Sequence, residues 1–298
     1  MQEVTTHQDE PGELLDAVEQ LCRLRSDSLS KDQLRTLREG IDQLINYHAT
    51  IGVFGKTGVG KSSLCNVLFG RDVAPVSAIE SCTREPQEIQ LALKHGRGIT
   101  LIDVPGIGES EARDMDHLKL YRSLIPKLDL ILWVIKGDDR ALSLDEQVYR
   151  DQVLPLAREH GVPVTFVINQ VDKIEPCREW DWKKSYPGPE QARNIALKQD
   201  VVCRQFRVPL REVCIVAVEQ GYGLCSLVEQ VLYQLPREKR WAVHRETEKA
   251  CQSPQSVQEA SKALWESVRD LVREAVHDGW AFIVRHLGPW FGRIRDKV

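Results

Sequence analysis

Apolar positions recur along this chain with two different periods, and the change of period divides it. Leu14, Leu15, Val18 and Leu21 stand at helical spacing ahead of the polar break "RSDSLS". Leu34, Leu37, Ile41, Leu44 and Ile45 then mark one face of a second helix, predicted to run to about residue 47 behind a capping box of Ser30 and Gln33. From "TIGVFG" onward the period shortens. Strand-like runs fall at 86–93, 98–104, 128–135, 163–168 and 212–218, with helical segments between them. Ser143 with Glu146 predicts a capped helix start, and "REHG" followed by "VP" predicts a helix stop at Gly161. Strands alternating with helices predict an α/β fold with a mostly parallel sheet covered by helices on both faces.

Two segments depart from that alternation. Residues 173–190, "KIEPCREWDWKKSYPGPE", carry three prolines, two tryptophans and a tyrosine with neither period, which predicts a surface loop packed on itself. After Pro236 the pattern is helical again, interrupted by "CQSPQS". Leu264, Val268, Leu271, Val272, Ala275 and Val276 share a face. Trp280, Ile283, Val284, Leu287, Trp290, Phe291 and Ile294 continue the helical pattern beside Arg285, Arg293, Arg295 and Lys297, with Gly288 and Pro289 predicted to kink or stop the last helix. The expected organisation is N-terminal amphipathic helices over 1–48, an α/β domain over 49–236 and a C-terminal amphipathic helical region over 237–298. The end helices are expected to form a bundle packed on the α/β domain. The apolar face with its basic flank also fits a helix that lies on a membrane surface.

Composition narrows the class. With 298 residues, 42% apolar, 28% charged and a net charge of −4, the chain has the make-up of a soluble globular protein and lacks the global basic excess of many nucleic-acid binders. Its first residues have neither a basic start nor an apolar run, and "LDLILWVI" is too short to span a bilayer, so a cytoplasmic location is expected, peripheral at the membrane if the last helices lie on it. Cysteines at 22, 65, 82, 177, 203, 214, 225 and 251 form no C-x-x-C pair and have no His at zinc-ligand spacing, which predicts reduced thiols.

The chemistry lies in the turns after the strands. "GKTGVGKSS", residues 55–63, fits G-x-x-x-x-G-K-[ST] between a predicted strand and a predicted helix. In such a P-loop the backbone of Gly55, Lys56, Thr57, Gly58, Val59, Gly60, Lys61, Ser62 and Ser63 curls around phosphate oxygens. Lys61 reaches the β and γ phosphates, and the Ser62 hydroxyl ligates Mg²⁺. "NQVD" places Asn169, Gln170 and Asp172 at the carboxyl end of a strand, where doubly wound sheets bind ligands. The Asp172 carboxylate matches the N1 and N2 donors of guanine. Adenine would leave it unpaired at a cost of roughly a few kcal/mol, so GTP and GDP are expected rather than ATP. Asp103, ending "GITLIDV", is expected to hold Mg²⁺, and the Gly106 amide to sense the γ phosphate. Thr83 in "SCTREP" is the first candidate for the second hydroxyl on Mg²⁺, with Ser77 and Ser81 as competitors. In "VAVEQGYGL", Ala217 and Val218 bring a backbone amide toward the guanine oxygen.

Together these motifs resemble the Era-like GTPases of the TRAFAC class over residues 50–235. "GKTGVGKSSLCNVLFG", "CTRE", "DVPGIGES" and "LDLILWVIKGDDRAL" are most similar to the bacterial YfjP-type GTPases. The resemblance implies a P-loop G domain, Mg²⁺-dependent hydrolysis of GTP to GDP as a molecular switch, and a ribosome or RNA partner. Three positions depart from the family. Gln170 replaces a lysine, Ala217 and Val218 replace a Ser-Ala pair, and Gly58 stands where potassium-dependent relatives carry asparagine. Ile107 follows the D-x-P-G motif where Ras-type GTPases carry a water-orienting glutamine. Intrinsic hydrolysis is therefore expected to be slow, with the missing group supplied by a second G domain in a homodimer, by a partner, or by Arg84 or Glu85. Two rival readings are a GTP-loaded binding module with vestigial hydrolysis, and a membrane-associated GTPase in the style of dynamins or immunity-related GTPases.

Overall fold

The computed structural model describes residues 31–70, 87–92, 98–103 and 119–275. Thr83, Gly106, Ile107, the first expected helix and the apolar-basic stretch from residue 276 onward lie outside the described residues, as do Ser77, Ser81, Arg84 and Glu85.

Six strands, β1 (Ala49–Phe54), β2 (Gln87–Ala92), β3 (Gly98–Asp103), β4 (Leu130–Lys136), β5 (Val164–Asn169) and β6 (Val213–Ile215), form one sheet in the order β2-β3-β1-β4-β5-β6. β2 runs antiparallel to β3, and the other pairs are parallel. Parallel pairing brings the carboxyl ends of β1, β3, β4, β5 and β6 to one edge, where the turns carrying the motifs emerge.

β4, "LILWVIK", is buried from Leu130 to Ile135, as a central strand covered on both faces must be. Its odd positions Ile131, Trp133 and Ile135 belong to one apolar core with Phe54, Tyr149, Phe166 and Phe206. There Trp133 meets Tyr149 edge-on with ring centroids 5.7 Å apart, and Tyr149 meets Phe166 at 4.9 Å. Each such buried aromatic contributes roughly 2–3 kcal/mol relative to exposure. The helices of the sheet-bearing part are α2 (Lys61–Phe69), α3 (Ser143–Val148), α4 (Leu154–His160), α5 (Pro189–Phe206) and α6 (Leu224–Gln234). α5 and α6 both pack against β6.

Two local expectations change. Ser143 is the first residue inside α3 and makes no cap: the N-cap position is Leu142, with no side-chain capping bond. Glu146 bonds Arg150 and Gln205 instead, at 3.3 and 3.1 Å. The last strand is three residues long, against the expected 212–218. Beyond it Val216 still donates to the Ile168 carbonyl of β5 at 2.8 Å, Ala217 bridges Tyr222, and Val218 begins a short 3₁₀ turn. The stop at Gly161 is as expected, and ahead of it the helix widens to a π turn over Tyr149–Val153, immediately before the Leu154-Pro155 step, where proline has no N–H to give.

The 173–190 loop packs on itself and on the turn after β6. Asp181 bridges Tyr186, Trp180 is buried, and its ring lies 5.5 Å from that of Tyr222. The Glu179 carboxylate accepts the first N–H groups of α5, from Glu190 at 2.9 Å and Gln191 at 3.1 Å, offsetting the unpaired donors of a helix start.

The chain divides into two compact units. One holds His48–Leu235 and Val243–Ser256. Within it the segment after α7 (Arg237–Glu246) docks on the end of α2, the Glu248 N–H donating to the Leu68 carbonyl at 2.7 Å. Of the described residues, the other holds 31–47, 236–242 and 257–275. There α1 (Lys31–Ile45) buries Leu37, Ile41 and Ile45, and α8 (Pro254–Ala275) buries Leu264, Val268 and Val272. Gly40 of α1 sits against Leu271: a Cβ at that glycine would stand 3.2 Å from the leucine methyls. Arg237 pairs with Asp270 at 2.6 Å. Among the described residues no helix is long and apolar enough to cross a membrane.

Candidate nucleotide site

The loop after β1 has the curled backbone that phosphate wrapping requires. Gly58 and Gly60 take left-handed conformations, with φ of 81° and 91°. Two approaches are tight: a Cβ at Gly55 would lie 2.3 Å from the Val134 carbonyl oxygen, and one at Gly60 2.4 Å from Asn169 Nδ2. α2 begins immediately after it, with Lys61 as its first residue, so the amides of the first turn point into the loop. Lys61 is buried, and its ammonium donates to the carbonyls of Gly55 at 3.0 Å and Lys56 at 3.2 Å. Ser62 follows in the same turn, and Thr57 and Gly58 are exposed at the rim, where a ligand would meet them. Ser63 is half-buried, and Val59 is buried beneath the loop.

Asn169 ties this loop to the base-side turns. It is 2% exposed; its Nδ2 donates to the Val59 carbonyl at 2.9 Å. Its Oδ1 accepts from the Gln170 amide at 2.7 Å and from the Val218 amide at 3.2 Å. One side chain thus joins three of the expected elements. The Val218 amide, expected to face the guanine oxygen, is engaged by Asn169 here. The Ala217 amide donates to the Tyr222 carbonyl at 3.1 Å.

Asp172 is buried in the 3₁₀ turn Val171–Lys173 that follows β5. Burial pushes its carboxyl above the usual carboxylate range, only partly offset by its own amide and by Lys173. A carboxylate in that position gains most from a ligand that brings donors to it. Asp103 ends β3 in register with Val53 of β1, which puts its backbone beside the root of the phosphate loop.

A further group of charges was not expected from the sequence. Lys56 turns away from the loop's mouth: its ammonium lies 2.6 Å from Asp145 and 3.1 Å from Asp139 and donates to the Ala141 carbonyl at 2.5 Å. Lys198 of α5 donates to the Asp139 carbonyl. Burial would lower the Lys56 pKa, but the two carboxylates raise it. For Asp145 burial prevails and the pKa is raised despite the lysine. Lys56 therefore offers a ligand its backbone, while its side chain fastens the loop to the segment after β4. The signal in the sequence is the acidic run of "GDDRALSLDE", which no spacing rule connects to a lysine more than eighty residues earlier.

A mostly parallel sheet in this order, with a glycine-rich loop after β1 running into a helix and an Asn-x-x-Asp turn after β5, is the G domain of a P-loop GTPase. Comparison with known proteins places it further. The family model described as 50S ribosome-binding GTPase matches residues 50–170. YkfA of Escherichia coli (strain K12), described as uncharacterized, is 46% identical over 202 residues, 68% of this chain and 67% of that protein. YfjP of the same organism, also uncharacterized, is 44% identical over 198 residues, 66% of each. The match thus spans about two thirds of the length of both relatives. A crystal structure of Era in complex with MgGDPNP and a segment of 16S ribosomal RNA aligns with a TM-score of 0.49 at 25% identity, over 63% of this chain and 57% of that one. The chain belongs to the P-loop GTPases of the YkfA and YfjP type.

Proposed function

We propose that this protein binds GTP and GDP with Mg²⁺ and hydrolyses GTP slowly, as a switch whose state a partner reads. The observation that supports it most is the buried carboxylate of Asp172, in the turn whose Asn169 is bonded to the phosphate loop: base recognition and phosphate binding share one hydrogen-bonded frame. Guanine offers Asp172 two donors, and adenine offers none in that position. In the bound state the Val218 amide is shared between Asn169 and the guanine oxygen. Lys61 leaves the loop carbonyls for the phosphates, where its charge is worth more than against neutral oxygens.

Mg²⁺, when bound, neutralises phosphate charge, and the residues that fit it are Ser62, Asp103 and Thr83. The fit rests on chemistry and placement: hard oxygen donors, with Ser62 opening α2 and Asp103 ending the strand next to β1. Ile107 has no group to orient water, so the unassisted rate is slow, within roughly a hundredfold of the ~10⁻⁴ s⁻¹ of an isolated Ras-type site. Full activity requires a group from a second G domain, from a partner, or from Arg84 or Glu85. The family description supports a ribosomal or RNA partner.

Equilibrium binding of GDP against ADP to the purified chain, followed by single-turnover GTP hydrolysis, tests this reading. Tight GDP binding, no competition by equal ADP, and slow hydrolysis abolished by Lys61→Ala are expected. Equal competition by the adenine nucleotide would overturn it.

A further inference from the structure

Gln170 stands where the family motif has lysine, and both ends of its amide are in use. The residue is left-handed, with φ of 60°, at the mouth of the Val171–Lys173 turn. Its Nε2 donates to the Gly58 carbonyl of the phosphate loop at 3.3 Å, and its Oε1 accepts from the Lys173 ammonium at 2.9 Å. The 3₁₀ turn brings residue i+3 back over residue i, which is how Lys173 reaches Gln170. An amide alone is a modest donor. With an ammonium on its oxygen the amide is polarised, and its N–H groups become stronger donors toward the loop.

Resting on the guanine-nucleotide reading above, we propose that Lys173 is a positioning residue of the nucleotide site. Acting through Gln170, it supplies a charge at the place where the family motif carries a lysine. The work of one long cationic side chain is divided here between two. The amide provides the plane beside the base and the bond to the loop, and the ammonium provides the charge and holds the amide in place. The same ammonium also acts against the burial that raises the Asp172 carboxyl, favouring the ionised form that guanine requires. Because neither effect involves the γ phosphate, they weigh equally on GDP and GTP.

A double-mutant cycle on the full chain tests the assignment, with Kd for GDP and GTP measured on the wild type, Lys173→Met, Gln170→Lys and the double variant. Lys173→Met should weaken both nucleotides by about tenfold and by the same factor. Against the Gln170→Lys background, whatever its own affinity, the same change should cost less than about twofold, because the charge is then carried by the neighbouring side chain. A loss of similar size in both backgrounds would show that the lysine acts without Gln170, and a wild-type affinity in Lys173→Met would show that it does not act at all. Either outcome overturns the proposal while leaving guanine binding intact. A wild-type chain that binds no guanine nucleotide would overturn the underlying reading and this one with it.

Discussion

Lys56 and Asp145 face each other at 2.6 Å, and the aspartate side chain is only 3% exposed. Removing the lysine leaves a carboxylate buried without its cation. Lys56→Met should therefore cost about 2–4 kcal/mol near neutral pH. The Asp145 pKa is already raised by burial, and losing Lys56 raises it further. A group whose folded pKa lies above its unfolded one is penalised where it must ionise, so the deficit of the variant is full above the raised pKa and shrinks as pH falls through it. Urea unfolding of both proteins at about pH 7 and about pH 4 checks this. An equal deficit at the two values would contradict it.

His244 is buried against the Ser256 hydroxyl at 3.2 Å, and burial lowers its pKa from 6.5 to about 4. Between those values the unfolded chain binds a proton that the folded chain refuses. The contribution is thus complete above the ordinary pKa and is lost as pH falls toward 4, a loss of roughly 3 kcal/mol in all. His244→Gln should flatten that part of the stability–pH curve relative to wild type. Parallel curves would show that His244 is not the group responsible.

Gly60→Ala puts a methyl 2.4 Å from Asn169 Nδ2 at a φ of 91°. The Asn169–Val59 bond must break or the loop must shift. GDP affinity should fall at least about tenfold, with about 1–2 kcal/mol lost from the fold for the left-handed alanine. Calorimetric titration with GDP reads the first effect, and an unchanged Kd would contradict the role given to Asn169.

How much of this was legible depends on where the causes lie along the chain. β4 and β5 could be read because strands buried on both faces must be apolar throughout, and the phosphate loop because its glycines are set by its own backbone. Other features have distant causes. Val218 turns from β6 to meet Asn169, and Ser143 fails to cap α3 while Glu146 turns to Arg150 and Gln205. The motif assigned the backbone of Lys56 to the phosphate loop, and only folding sets two aspartates against its side chain. The spacing of Gln170 and Lys173 was visible, but the φ of 60° that joins them to the loop was not. The 173–190 segment showed no period because its order comes from Trp180 on Tyr222 and from Glu179 at the start of α5.

The central claim is that Asp172 reads the edge of guanine. Competition between GDP and xanthosine diphosphate, on wild type and on Asp172→Asn, measures it most directly. The wild type should prefer GDP, since only guanine brings two donors to the carboxylate. In Asp172→Asn the side-chain amide offers a donor to the xanthine carbonyl, so GDP affinity should fall by about a hundredfold or more and the preference should reverse. A variant that keeps the wild-type preference for GDP would place base recognition elsewhere and contradict the account.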